Sequence, residues 1–406
     1  MREALHSLTS RGRGFLAGGI TAVLCGMLLG ERDLVRIGIL VLMLPLGTMV
    51  WMARARHEIS LVRTLSTTQV EVGQPVAVRL SLTNLGPRTQ LLMVEEQLPY
   101  ALGSRPRFVV DPMQTGESVT LDYTVRSDVR GGYPIGPLRF RVGDPFGMLE
   151  LRRTFSAIDH LVVTPRVETL PAIPMIGAYA GTGDNKPRSF VGGNAADVTV
   201  REYRLGDDLR RVHWPSTAHS GDLMVRREEQ PWQARCTLLI DNRSRAHRGR
   251  GASSSLEPAI RAGASIALHL AGQGYQVRLV SAAGEELGHG WHDGEVALNT
   301  RSLLASLAVL PGLDAESLAT DWVDEAVTST LFVAVLGAVD ERDRPFFARI
   351  GRVGGSTYGL ALDVARWAGA HDAPVPATGW LRSIGWKAAQ LGPDTPLRQA
   401  WQELTR

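Results

Sequence analysis

The densest run of charge in the chain is Arg201-Glu202-Tyr203-Arg204-Leu205-Gly206-Asp207-Asp208-Leu209-Arg210-Arg211-Val212-His213-Trp214. Guanidinium groups at Arg204, Arg210 and Arg211 could gather an anion or the acidic side chains of a partner, since each offers fixed donors and no acceptor. Asp207 is placed to cap a short helix, with Asp208 at its positive end. Downstream, Gly221-Asp222-Leu223-Met224-Val225-Arg226-Arg227-Glu228-Glu229 reads as an edge strand. The same run also reads as an ion-paired clamp that fixes this segment to the next domain, with Trp214 buried as its anchor. Nothing nominates a reaction. The chain has no Walker loop, no H-E-x-x-H, no G-x-S-x-G elbow and no candidate Cys/His pair. Gly181-Thr182-Gly183-Asp184-Asn185-Lys186 lacks the spacing of a phosphate loop, and no apolar strand leads into it. It reads as part of a flexible linker.

Composition narrows the class further. The 406 residues are enough for two or three domains, and a net charge of +3 leaves no basic surface for nucleic acid. Two cysteines, Cys25 and Cys236, cannot build a framework of disulfides.

The elements that must position the charged run begin at the N-terminus. Residues 15–29 and 37–52 are uncharged and apolar, and Gly30-Glu31-Arg32-Asp33 between them is a tight polar turn. One continuous helix would bury Glu31, Arg32, Asp33 and Arg36 in hydrocarbon, whereas a hairpin places them at the far surface. A cleaved signal peptide is the other reading of residues 15–29. The second apolar segment follows at once and no small-x-small site precedes it, which favours the hairpin. Arg2, Arg11 and Arg13 precede it and Arg54, Arg56 and Arg63 follow it, so both ends are expected in the cytoplasm of a multi-pass plasma-membrane protein.

After residue 57 the period of the pattern changes to two. Residues 76–83 and 119–126 alternate apolar with polar, and turn signals such as Asn84-Leu85-Gly86-Pro87 and Gly143-Asp144-Pro145 punctuate them. Short strands at this spacing predict an antiparallel, immunoglobulin-like β-sandwich over residues 58–165, with no cluster of titratable groups standing out. Residues 166–194 read as a linker. From 195 to 406 apolar strands at 236–241, 275–280, 331–336 and 357–362 alternate with helical stretches at 256–270 and 302–310. That order predicts a doubly wound, largely parallel α/β sheet whose ligands bind beyond the carboxyl ends of its strands, where Asp241 and Asp340 fall. The stretch 380–406 reads as a covering helix on that sheet, with a place on the membrane surface as the alternative.

The segment 201–229 resembles the signature of the domain-of-unknown-function family 58: Arg201-Glu202-Tyr203, Gly206-Asp207-Asp208, Arg210, Val212 and Trp214, then Gly221-Asp222-Leu223. Asp144-Pro145-Phe146-Gly147-Met148 is similar to that family's lead-in. The resemblance implies a hairpin of residues 1–57, a sandwich, and a C-terminal domain like those of von Willebrand factor A. It also implies bacterial gene neighbours, a MoxR-type AAA+ ATPase and a transglutaminase-like membrane protein, and no established reaction. In von Willebrand A domains an Asp-x-Ser-x-Ser loop holds a divalent cation. Here the loop is Asp241-Asn242-Arg243-Ser244-Arg245, and two guanidinium groups occupy the hydroxyl positions. They donate, never accept, and repel a cation, so no metal or other cofactor is expected, Mg²⁺ being the weak exception. An acidic side chain or a phosphate drawn by Arg243 and Arg245 is the alternative occupant.

These observations give a membrane-tethered, non-catalytic interaction protein that presents an A-like domain to a cytoplasmic partner. The resemblance makes a MoxR-type ATPase that partner, in the assembly or maturation of envelope components. A Mg²⁺-dependent adhesion module and a hydrolase with an unrecognised site are the alternatives.

Overall fold

The computed structural model describes residues 8–54, 58–144, 146–172, 199–203, 212–227, 235–288, 297–323, 331–351, 355–367 and 377–404. Helices α1 (Ser10–Leu29) and α2 (Arg32–Arg54) run antiparallel. The Thr9 hydroxyl accepts from Gly12 N at the start of α1, and Gly30 ends it in the left-handed region. The turn is therefore only Gly30-Glu31. The helices have 20 and 23 residues, longer than the apolar windows in the sequence. At 1.5 Å per residue they reach about 30 and 34 Å, enough to cross a bilayer core of about 30 Å. Gly19, Gly26 and Gly38 lie where the helices meet. A Cβ at Gly19 would come within 2.7 Å of the Leu42 side chain. Small residues at that seam let the backbones approach and replace a hydrophobic drive that lipid does not supply.

Ten strands follow: β1 (Ile59–Leu65), β2 (Gln69–Glu71), β3 (Val76–Asn84), β4 (Leu92–Glu96), β5 (Arg107–Val110), β6 (Ser118–Val125), β7 (Gly131–Ile135), β8 (Leu138–Gly143), β9 (Glu150–Thr154) and β10 (Asp159–Thr164). They form sheets β1-β3-β6, β5-β4-β8-β9 and β2-β10-β7. Along β3 buried residues alternate with wetter ones, as its period of two dictates. Leu80 and Leu82 of β3 share one core with Leu92 and Val94 of β4 and with Leu138 and Phe140 of β8, so the first two sheets bury their apolar faces together.

The C-terminal part is built on a parallel sheet in the order β14-β13-β15-β16-β17. Its strands are β13 (Arg235–Ile240), β14 (Gln276–Ser281), β15 (Leu331–Leu336), β16 (Ser356–Leu362) and β17 (Lys387–Leu391). Strands buried on both faces read as continuous apolar runs, and Leu331–Leu336 is fully buried. Helices α4 (Leu256–Gly272), α5 (Ala297–Val309) and α9 (Leu397–Glu403) cover one face. Helices α6 (Arg344–Ile350) and α8 (Thr378–Ser383), with Trp322, cover the other, and the short α7 (Val364–Trp367) follows β16. The stretch 380–406 is thus not a single covering helix: it contains strand β17, which adds the fifth strand. Lys387-Ala388-Ala389 carries no β-branched signal, and pairing to β16 decides it. A separate hairpin of β11 (Thr199–Glu202) and β12 (Met224–Arg227) flanks helix α3 (Trp214–Ser220).

The start of the expected linker, residues 166–172, is packed on the parallel-sheet part. Leu170 is buried in the core of the parallel-sheet part, Glu168 N donates to Ser265 Oγ, and Trp401 Nε1 donates to Pro171 O. Residues 173–198 lie outside the described residues. Arg130 joins the β-strand part to the parallel-sheet part more firmly. Its guanidinium donates to Glu257 Oε2 at 3.1 Å and to the carbonyls of Leu307, Ala308 and Leu310 at 2.8–2.9 Å. Those carbonyls end α5, where a cation is favoured.

Candidate functional site at the carboxyl end of the parallel sheet

The strand order reverses direction between β13 and β15, and a parallel sheet opens its ligand crevice at such a switch point. Asp241 directly follows β13 there. Its carboxylate is held by Arg243, whose Nε donates to Oδ1 at 2.8 Å and Nη2 to Oδ2 at 2.9 Å. The third corner of the guanidinium, Nη1, donates to Asp343 Oδ1 at 2.7 Å. Arg243, Asp241 and Asp343 are all fully buried. Burial alone would lower the Arg243 pKa, but the hydrogen bonds and charges of Asp241 and Asp343 outweigh it and raise it. The side chain therefore stays a cation inside the fold.

The remaining lone pairs are also used. Gly337 N donates to Asp241 Oδ2, Leu318 N to Asp343 Oδ1 and Asp340 N to Asp343 Oδ2. Gly337 is required here, because a Cβ would lie 2.3 Å from Ala246 O. Beside the triad, His247 Nε2 donates to Asp241 O at 2.6 Å, and its Nδ1 is 3.1 Å from Ser255 Oγ. Burial lowers the His247 pKa, which keeps the ring neutral, with Nδ1 accepting from the serine hydroxyl. Asn242 ties the loop down through Pro311 O and Ala282 N.

A divalent cation needs oxygen lone pairs converging on an open centre. Here a guanidinium fills that centre and the carboxylate oxygens already accept from it and from the backbone. The donor set does not fit Mg²⁺. Among the described residues, no group of three His, Cys, Asp or Glu side chains is placed to hold a metal. The same geometry corrects the expectation of an anion drawn by Arg243, which has no accessible surface to offer. Arg245, at the rim, bonds Asp340 and the Glu316 carbonyl, so both sequence-nominated acids meet the two loop arginines. The sequence did not nominate Asp343. Its position three residues after Asp340, in the 3₁₀ turn Glu341–Asp343, was the only signal.

Of the signature residues, Arg201 and Glu202 lie in β11, and Tyr203 N donates to Leu223 O next to it. Gly206, Asp207, Asp208 and Arg210, with Arg204 and Arg211, lie outside the described residues. Trp214 opens α3 behind an N-cap at His213, whose Nδ1 accepts from Ser216 N. It is 69% exposed, not a buried anchor.

A second buried cluster, in the β-strand part, escaped the sequence reading. Arg63 Nη2 donates to Glu96 Oε1 at 2.9 Å and Nη1 to Asp159 Oδ2 at 2.7 Å, and Tyr123 Oη donates to Glu96. Arg63 and Tyr123 belong to the β1-β3-β6 sheet, Glu96 to the β4 sheet and Asp159 to the β10 sheet, so the network ties all three together. Burial pushes the Glu96 pKa up, against the pull of Arg63. Arg63 is thus a core residue and not part of the basic flank of the hairpin.

Residues 199–300 match the model of a family described as protein of unknown function DUF58. The uncharacterized protein YeaD of Bacillus subtilis (strain 168) is 25% identical over 187 residues, 44% of this chain and 46% of that protein. The chain thus spans under half the length of this curated relative. Among solved structures, the CARDB domain of the PF1109 protein from Pyrococcus furiosus is similar at 15% identity and TM-score 0.20, over 26% of this chain and 93% of that one. A beta-glucosidase from Listeria innocua is similar at 14% identity and TM-score 0.17, over 26% and 16%. Likeness at that level carries no weight for the fold. The segment that runs from β11 through the Asp241 loop to the start of α5 is thus similar to the DUF58 proteins.

Proposed function

We propose that this protein is a membrane-anchored, non-catalytic interaction protein whose von Willebrand A-like α/β domain engages a cytoplasmic partner. The exposed Trp214 carries this reading. A tryptophan open to water inside the family segment has the chemistry of an interface anchor. Two features support it. The strand-end crevice, where a ligand would react, is filled by the chain's own Arg243. Asp241 at the end of the first strand and at the switch point is the A-like feature, with an internal guanidinium in place of a cation. The hairpin brings both of its ends to one side, and Arg11, Arg13 and Arg54 at that open end support a cytoplasmic orientation through the positive-inside bias.

The partner is a MoxR-type AAA+ ATPase, as the family resemblance implies, with envelope assembly as the setting. The full chain, purified in mild detergent, is expected to retain that ATPase, and Trp214→Ala to lose it while keeping its melting temperature. Equal retention by both forms removes Trp214 from the interface. An ATPase absent from both removes the partner.

A further inference from the structure

Chain direction gives the β-strand part a membrane end and a far end. The β8–β9 turn meets the start of α1: Thr9 N donates to Met148 O, the Thr9 hydroxyl donates to Gly147 O, and Leu8 bridges Leu149. Gly12 sits so close to Met148 O that a Cβ would lie 2.3 Å from it. Met49, near the end of α2, packs on the same Leu8–Leu149 cluster. The tip of this β-hairpin is thereby wedged between the two open ends of the helical hairpin, level with the first turn of a bilayer-length helix.

Register carries that level across the other strands. Leu92 of β4 pairs with Val142 of β8 and with Val110 of β5, so this end of the sheet includes Leu91 and Val109. Asn84 of β3 pairs with Ile59, five residues beyond the end of α2, which brings Leu85 to the same end. Leu85, Leu91, Val109 and Phe146 are all exposed, Phe146 by 58%. Tyr100, after the other end of β4, is on the far side. Apolar side chains gathered at the one end that the helices enter have an occupant at hand.

We infer that this end of the β-strand part is seated in the bilayer interface, with Phe146, Leu85, Leu91 and Val109 immersed at the boundary between headgroups and acyl chains. The inference rests on the hairpin spanning the membrane. The surface is continuous with the helices, and the Gly12–Met148 contact leaves no room for a water layer between the loop and α1. Both signs of charge occur at this end, including Arg88, Asp111 and Glu117, so apolar burial and not attraction to anionic lipid drives the contact. The strand part is then more than a spacer, because it fixes the tilt of the parallel-sheet domain, which Arg130 clamps at its far end.

The test uses the full chain in phosphatidylcholine vesicles. An environment-sensitive fluorophore is attached at Phe146→Cys, Val109→Cys, Tyr100→Cys or Met43→Cys, each with Cys25→Ser; Cys236 is buried. Quenching by lipid-borne nitroxide is compared with quenching by aqueous iodide. The first two positions should be quenched by the lipid label and shielded from iodide severalfold relative to Tyr100→Cys, at low and high salt alike. Val109→Cys reads the same end should the Phe146 variant fail to fold. If Met43→Cys is lipid-quenched while the Phe146 and Val109 positions meet iodide as freely as Tyr100→Cys, the hairpin stands and the seated end is wrong. If Met43→Cys itself meets iodide, the anchor is wrong and the inference falls with it.

Discussion

Arg63 and Arg243 are two buried guanidinium groups, each gripped by two carboxylates, in two unrelated parts of the molecule. Arg63 is 1% exposed and joins Glu96, at 0%, to Asp159, at 44%. Arg243 joins Asp241 and Asp343, and every member is at 0%. Water reaches one carboxylate of the first cluster and neither of the second. The first cluster lies where three sheets meet and acts as a staple. The second lies at the switch point of a parallel sheet, the place where such folds bind ligands, and acts as an internal cation. Identical chemistry thus serves architecture in one place and closes a site in the other, and the position in the sheet makes the difference.

The sharpest way to break this comparison is to remove each arginine. Arg243→Ala leaves two buried carboxylates without a counter-charge and is expected to lose the most, about 5 kcal/mol, seen as a large drop in the melting temperature of the full chain in detergent. Millimolar Mg²⁺ should recover part of that loss, because removing the guanidinium opens an oxygen-lined centre; recovery by Mg²⁺ in the Arg63 variant as well would erase the distinction. Arg63→Ala orphans one fully buried carboxylate, since Asp159 can hydrate, and should cost about 3 kcal/mol by the same measurement. Arg63→Met with Glu96→Met should regain most of it, and a double variant as unstable as the single one would contradict the staple reading. Arg130→Ala should cost about 2 kcal/mol of docking and split the calorimetric transition in two, as the α5 carbonyls lose charged donors. A single unchanged transition would show that the clamp is not needed.

The smallest effect is a pH dependence at His247. Burial holds its pKa below the 6.5 of the unfolded chain. The unfolded state then binds the proton first, so the contribution is complete above 6.5 and is lost as pH falls below it toward the folded value. Melting temperatures on the two sides of 6.5 should diverge in the parent and converge in His247→Asn.

How far each of these was legible depends on the range of the interaction. The helical hairpin was legible because apolar runs and polar turns are local, although the helices outrun the uncharged windows. Strands β3, β6, β13, β15 and β16 were legible from periodicity or continuous apolar runs. Strand β17 was not, because pairing with β16 and not composition makes it a strand. Asp241 is legible by its place after an apolar strand, and Arg243 and Arg245 are foreign to the cation loop that the family resemblance implies.

The sequence by itself determined the membrane-length helices, the change of period after residue 57, the family segment and the misfit of Arg243 and Arg245 to a metal loop. All of these reside in residue types and short spacings. Only the tertiary structure decided that Arg243 points inward to Asp343, 100 residues away, that Arg63 is a core residue, that Trp214 faces water and that Arg130 caps a helix of another part. Each depends on which chain segments the sheets bring together. A guanidinium carries the same charge in every setting, and the folded surroundings alone settle whether it faces solvent, a carboxylate or the end of a helix.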